Sequence, residues 1–173
     1  MSDPLHPEIH DPLTSPVNRD LRDHWLGLCG SRTMPAWREF DPVSVPRLLN
    51  RVVVVSVDHE PLRFRYKLIG TWITRLAGRD ATGRELDATL YGDRLEAIVW
   101  TYRHCVRSGA PLATLGSIHF AEKEWLTAEH IYLPFAGADG RVGTVLGGMD
   151  VLDGDARLRD RPREYEAILD WRK

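Results

Sequence analysis

The sequence predicts an α+β domain built around one antiparallel sheet. Two strand patterns lie between residues 52 and 69, and a long amphipathic helical pattern spans residues 93–108. Three further strand patterns follow between residues 112 and 152. Strands divided into two and three by a helical segment are typical of α+β domains, in which helices cover a sheet face. We therefore expect a cleft between the helices and the sheet, which is a usual place for a ligand.

The first element is an amphipathic helix. Asn18 is a preferred N-cap residue, and Gly30 lies where a C-cap glycine is common. A shorter helix is predicted from Asp41 or Ser44, because Pro46 is tolerated only in a first turn. The stripe of the first helix must be buried on its own sheet or against a second subunit. It consists of Leu21, Trp25, Leu28 and Cys29, at helical spacing.

The next two segments predict a β-hairpin. Residues 52–57 are mainly β-branched, and residues 58–61 have the composition of a turn. Residues 63–69 alternate, which is typical of a half-buried antiparallel strand. Phe64, Tyr66 and Leu68 share one predicted face, and Arg63, Arg65 and Lys67 share the other.

The remaining elements are a long helix and three strands. The helix runs from about Asp93 to Ser108, and the strands cover about 112–120, 126–135 and 142–152. Asp139-Gly140 is a strong hairpin signal between the last two strands. We divide the chain into a flexible, proline-rich tail (1–17), a domain (18–152), and a linker with a short C-terminal helix (153–173). That helix would place Tyr165, Ile168 and Leu169 on one side.

Composition narrows the classes of function. The net charge of −2 gives no electrostatic reason to expect nucleic acid or an anionic membrane as a partner. The chain has no signal-peptide pattern and no apolar run of about 20 residues, so we expect a soluble cytoplasmic protein. Two cysteines are too few for a disulfide framework or a thiolate zinc site.

Two glycine-containing segments resemble a known family. Residues 64–71 read FRYKLIGT and residues 76–83 read LAGRDATG. Together they resemble the PAS domain, and most closely a branch of short bacterial proteins that consist of little else. Residues 20–152 carry the resemblance. Other matching residues are Trp25, Met34-Pro35, Asp41-Pro42 and Tyr132-Leu133-Pro134.

The resemblance implies a five-stranded antiparallel sheet in the order 2-1-5-4-3, with helices on one face and an N-terminal flanking helix. It also implies sensing or regulatory interaction rather than catalysis. Dimerisation through flanking helices is common in the family, so a homodimer is one expectation. The motif specifies no cofactor, and the ligand is therefore unknown.

The cleft supplies the candidate ligand-binding residues. Trp72 is the first choice, because it follows the glycine at the end of a strand, where the backbone turns over the cleft. The alternative for each candidate is ordinary core packing. The candidates are Tyr66, Leu68, Trp72, Ile73, Leu76, Tyr102, Ile118 and Tyr132.

Other chemistry has little support in the sequence. There is no His-Glu-x-x-His, Cys-x-x-Cys or Gly-x-Ser-x-Gly motif. His104 lies opposite the apolar stripe of the long helix, which argues against an axial haem ligand, and no flavin-bonding cysteine segment is present. A polar cluster around the predicted turn between the third and fourth strands could hold a metal. It comprises His119, Glu122, Glu124, Glu129 and His130.

We therefore expect a stand-alone sensory or regulatory module that binds a small ligand and signals through a protein partner. The alternative is a ligand-free dimerisation or protein-interaction module. A small metal-dependent enzyme is the third hypothesis.

Overall fold

A computed structural model describes residues 13–118, 123–152 and 165–168, and its centre is one antiparallel sheet. The strand order is β2-β1-β5-β4-β3-β6. The predicted order 2-1-5-4-3 is thus confirmed for the first five strands. The strands are β1 (Val52–His59), β2 (Leu62–Ile69), β3 (Leu112–Ile118), β4 (Lys123–Ala136), β5 (Val142–Val151) and β6 (Tyr165–Ile168).

Helices cover both faces of the sheet. The inner face carries α2 (Thr71–Ala77), α3 (Ala88–Tyr91) and α4 (Leu95–Ser108), and the outer face carries α1 (Pro16–Cys29). Strand β1 shows the division, since Val52 and Val54 pack with α1 while Val55 and Val57 pack with α4. The central strands are therefore buried on both sides, which explains the continuous β-branched run.

The start of α1 corrects the predicted tail. Ser15, rather than Asn18, is the N-cap, and its hydroxyl accepts a hydrogen bond from the backbone N–H of Asn18. Pro16 begins the helix, because a proline at the first helical position has no intrahelical hydrogen bond to lose. Leu13 and Ser15 are fully buried, so residues 13–17 belong to the folded part of the chain. Residues 1–12 lie outside the described part.

The stripe of α1 packs on its own sheet. Leu21, Trp25 and Cys29 are buried there, and the indole N–H of Trp25 donates to the carbonyl of Pro134 at 2.8 Å. Leu28 is half-buried against the same cluster. The sequence leaves two alternatives for this stripe, and the structure shows that it is buried on the domain's own sheet.

A bulge in β2 reverses the predicted facing of its last residues. Val55 pairs with Tyr66 and Val54 pairs with Leu68, which leaves Lys67 without a partner in the register. One extra residue moves every later side chain to the opposite face. Leu68 is consequently 44% exposed, and Ile69 takes the inward position instead.

Two other elements differ from the sequence prediction. Residues 165–168 form the edge strand β6, which pairs with β3, where the sequence predicts a helix. Pairing supplies partners to the otherwise open edge of β3, and such tertiary pairing outweighs local propensity. The short second helix is one turn of 3₁₀ helix over Pro42–Ser44, capped by the side chain of Asp41. Another 3₁₀ turn, Leu49–Arg51, leads into β1.

No helix in the described part of the chain is both long enough and apolar enough to cross a bilayer.

Candidate ligand cavity

A cavity of about 530 Å³ lies between the inner face of the sheet and the helices α2 to α4. This volume lies within the range of small-molecule sites in proteins, roughly 300–1,000 Å³. The sheet side includes Val53, Thr114, Tyr132 and Met149, and the helical side includes Ile73 and Ile98.

Several tyrosines lie in the cavity wall. Of the five tyrosines in the chain, Tyr66, Tyr91, Tyr102 and Tyr132 line the cavity. The rings of Tyr102 and Tyr132 meet edge to face, with centroids 5.4 Å apart. A fifth aromatic side chain, Trp100, is 39% exposed and therefore lies where the cavity opens to solvent.

The phenol hydroxyls form two polar groups. Those of Tyr66 and Tyr91 are hydrogen-bonded to each other at 2.5 Å. The hydroxyls of Thr101 and Thr114 lie near that of Tyr132 and act to lower its pKa, against the larger effect of burial. Both threonines also line the cavity, so this second group is part of its wall.

Burial keeps these phenols protonated. Loss of hydration raises the pKa of Tyr66 and of Tyr102 well above the usual value, and it also raises the pKa of Tyr91. The same cause raises the pKa of Tyr132 to about 12. The phenols therefore supply hydrogen-bonding groups without charge.

The charged lining residues lie at the rim. Arg79 and Glu96 line the cavity, and both are exposed. The carboxylate of Glu96 is paired with Arg103, and the guanidinium of Arg79 lies 5.4 Å from the centre of the Tyr91 ring. Neither charge lies in the buried part of the cavity.

Two adjacent glycines in β5 serve opposite faces. Gly147 pairs with Val53 and Tyr132 and lines the cavity, where the missing side chain leaves open volume. Gly148 lets α1 approach the outer face, since a Cβ there would lie 2.8 Å from Oδ1 of Asn18.

Four of the eight residues predicted for the ligand site line this cavity: Tyr66, Ile73, Tyr102 and Tyr132. The other four lie elsewhere. Leu68 is turned outward by the bulge, and Ile118 is fully buried in a core cluster that Leu76 also contacts. Trp72, the first choice, packs against that cluster, and the Arg51 guanidinium lies 4.0 Å from its ring centre.

Several lining residues were missed by the sequence analysis. Tyr91 belongs to the one-turn helix α3, which has no periodicity to detect, and the sequence pattern instead suggests a metal cluster for His130. Trp100 is exposed on its helix, and the cavity mouth extends to it. A usable signal was present at Gly147-Gly148, because glycines inside a strand often mark a close approach or a ligand.

The predicted metal cluster does not assemble from its described members. Glu129 and His130 are consecutive in β4 and face opposite sides of the sheet, toward α1 and toward the cavity respectively. His119 and Glu122 lie outside the described residues, and nothing is described of the Glu124 side chain. Among the residues that the structure does describe, no group of three potential metal ligands occurs.

His104 lies outside the cavity wall and stacks on Trp100, with ring centroids 5.3 Å apart. Its Nε2 atom is buried and has no hydrogen-bond partner within the described part of the chain.

On the outer face, Glu129 holds the start of α1. This carboxylate, 3% exposed, accepts hydrogen bonds from the backbone N–H groups of Thr14 and Ser15 and from the side-chain amide of Asn18. Next to it, Asp150 of β5 accepts a hydrogen bond from the Ser15 hydroxyl and pairs with Arg51. We call Glu129, Asp150, Thr14, Ser15 and Asn18 the helix clasp.

The comparisons with known proteins agree with this architecture. The PAS domain family model matches residues 13–150. The chain belongs to the PAS domain family.

Two of the solved structures with detectable similarity have the following extents of match. A sensory box sensor histidine kinase from Vibrio cholerae is 10% identical, and the match covers 64% of this chain and 90% of that one at a TM-score of 0.48. The LOV protein of Rhodobacter sphaeroides is 14% identical, covering 69% and 72% at a TM-score of 0.47. No curated protein matches the sequence.

Proposed function

We propose that this PAS domain is a cytoplasmic, non-enzymatic sensory module that binds a small molecule in its tyrosine-lined cavity and signals through a protein partner. The observation that supports it is the cavity itself. A closely packed domain leaves few voids larger than a water molecule, whereas this one holds about 530 Å³ lined by convergent polar groups.

The two faces of β4 provide a route for the signal. His130 lines the cavity, and its neighbour Glu129 holds the start of α1 on the other face. In β5, Met149 and Asp150 repeat the arrangement. A ligand that shifts either strand therefore alters the helix clasp and moves α1. A partner protein recognises the surface that α1 presents in its new position.

Native mass spectrometry of the purified protein, followed by denaturing analysis, tests ligand binding. We expect a stoichiometric small molecule in the wild type. Gly147→Leu should abolish it by filling the cavity. Gly27→Leu is the matched control, because it adds the same side chain to α1, where the space around Gly27 is open. Equal occupancy in the two variants, or a bare wild type, would contradict the proposal and favour the ligand-free interaction module.

Hydrogen exchange tests the signalling step. With the molecule identified, its addition should change the protection of the α1 amides relative to the ligand-free protein. Unchanged exchange in α1 would exclude this route while leaving ligand binding intact.

A further inference from the structure

The chemistry of the cavity restricts the class of ligand. This inference rests on the proposed function and goes further, because it names the charge, the shape and one polar feature of the bound molecule.

The first argument concerns shape. Five aromatic side chains line a single cavity: Tyr66, Tyr91, Trp100, Tyr102 and Tyr132. Aromatic rings associate with other aromatic rings by offset stacking and edge-to-face contacts, which favours a planar aromatic guest.

The second argument concerns charge. The charged residues of the wall, Arg79 and Glu96, are exposed at the rim, and Glu96 is already paired with Arg103. The titratable His130 also lines the wall, but among the lining residues no carboxylate or guanidinium lies in the buried part, so an ionised ligand group there would lose its hydration without meeting one of these charges, which is costly. The interior therefore selects an uncharged molecule.

The third argument counts hydroxyl hydrogens. Tyr66 and Tyr91 together carry two, and the hydrogen bond between them uses one. Neither hydroxyl has another hydrogen-bond partner among the described residues. One O–H hydrogen of this pair consequently remains available to donate to a ligand.

We propose that the cavity binds an uncharged planar aromatic molecule carrying a hydrogen-bond acceptor, such as a ring nitrogen or a carbonyl oxygen, and that the Tyr66–Tyr91 pair donates to this acceptor.

Four probes built on the same fused two-ring skeleton test each part of this proposal by titration calorimetry on the full chain. Quinoline is neutral at neutral pH and has an acceptor, and naphthalene is neutral without one. N-methylquinolinium is a cation, and quinoline-4-carboxylate is an anion. We expect quinoline to bind about tenfold more tightly than naphthalene, and both ions to bind at least about tenfold more weakly than quinoline.

Deletion of both hydroxyls locates the interaction. Each single variant, Tyr66→Phe or Tyr91→Phe, still carries one O–H hydrogen that can donate, so the preference for quinoline over naphthalene should fall to about twofold or less in the double variant. Tyr102→Phe removes a phenol from the same wall but outside the pair, and it should preserve the ratio of the two affinities. Circular dichroism of each variant checks that the fold is retained.

Each other outcome would overturn a defined part of the proposal. If either ion binds as tightly as quinoline, the proposal that the ligand is uncharged is refuted. Tight binding of the cation would instead indicate that the aromatic side chains form a cation-binding cage. Equal binding of naphthalene and quinoline would refute the acceptor. If no probe binds, the ligand class fails. The native mass spectrum then separates the two proposals, because a co-purified molecule that Gly147→Leu excludes preserves the sensory function.

Discussion

The carboxylate of Glu129 accepts a hydrogen bond from the backbone N–H of Ser15 at 3.0 Å, although 114 residues separate them in the chain. Its other oxygen accepts from the N–H of Thr14 at 2.6 Å. The first N–H groups of a helix region need external acceptors, and a negative charge at this end also matches the helix dipole. A strand that forms the cavity wall thus also anchors the flanking helix.

Glu129→Ala should destabilise the protein by about 3 kcal/mol, because it leaves buried donors without an acceptor. Glu129→Gln keeps one acceptor oxygen and should cost about 1 kcal/mol. Urea denaturation measures both, and Glu60→Ala is the control at a side chain that is 87% exposed. A loss for Glu129→Ala no larger than that of the control would show that the helix clasp does not stabilise α1.

The same substitution at two adjacent glycines should have very different effects on stability. In Gly148→Ala the new Cβ would lie 2.8 Å from Asn18 Oδ1 and 2.9 Å from Ile131 Cγ2, so we expect a loss of about 2 kcal/mol. In Gly147→Ala the nearest atoms lie 3.7 Å away, an ordinary contact distance, and stability should change by less than about 0.5 kcal/mol. Thermal and urea unfolding compare them. Equal destabilisation would contradict the close approach of α1 at Gly148.

Acid should weaken the segment after α1. The Arg32 guanidinium, followed by the backbone N–H of Ala36, lowers the pKa of Glu39 to about 2. The pKa of a glutamate in the unfolded chain is about 4.3. The contribution of the Arg32–Glu39 ion pair to stability is therefore complete above that pH and is lost as the pH falls toward 2. NMR titration of the Glu39 carboxyl measures the pKa directly. Arg32→Gln should return it toward the unfolded value, and an unchanged midpoint would exclude the ion pair as the cause.

Alkali should destabilise the protein by ionising the tyrosines of the cavity wall. Burial raises the pKa of four tyrosines, with Tyr132 at about 12, above the unfolded value of about 10. Their contribution to stability is complete below about pH 10 and is lost as the pH rises toward 12. Ultraviolet titration should show delayed phenol ionisation in the folded protein and simultaneous ionisation of all five tyrosines in guanidinium chloride. Four or more normal phenols in the folded state would contradict the buried cavity.

The sequence was sufficient for most of the sheet, because the signals there are local. The run from Val52 to Val57, the alternation up to Tyr66 and the Asp139-Gly140 turn each depend on neighbouring residues. The alternation failed at Lys67, since a bulge is a property of two paired strands, and that error placed Leu68 in the cavity.

The cavity could be predicted only in part. Tyr66, Ile73, Tyr102 and Tyr132 lie in elements whose inward faces have a clear period. Tyr91 lies in a one-turn helix that is distant from β2 in the sequence, and its hydroxyl is hydrogen-bonded to that of Tyr66. No local pattern reports such a contact.

The position of α1 on the outer sheet face also has a consequence for self-association. Trp25 and Leu21 already occupy the area that a second sheet would need. A dimer formed through that face therefore has to displace α1, so docking of the helix and pairing of subunits are competing equilibria. For a dimer of that kind, mass action would make a higher protein concentration favour the undocked helix, and a stronger helix clasp would favour the monomer.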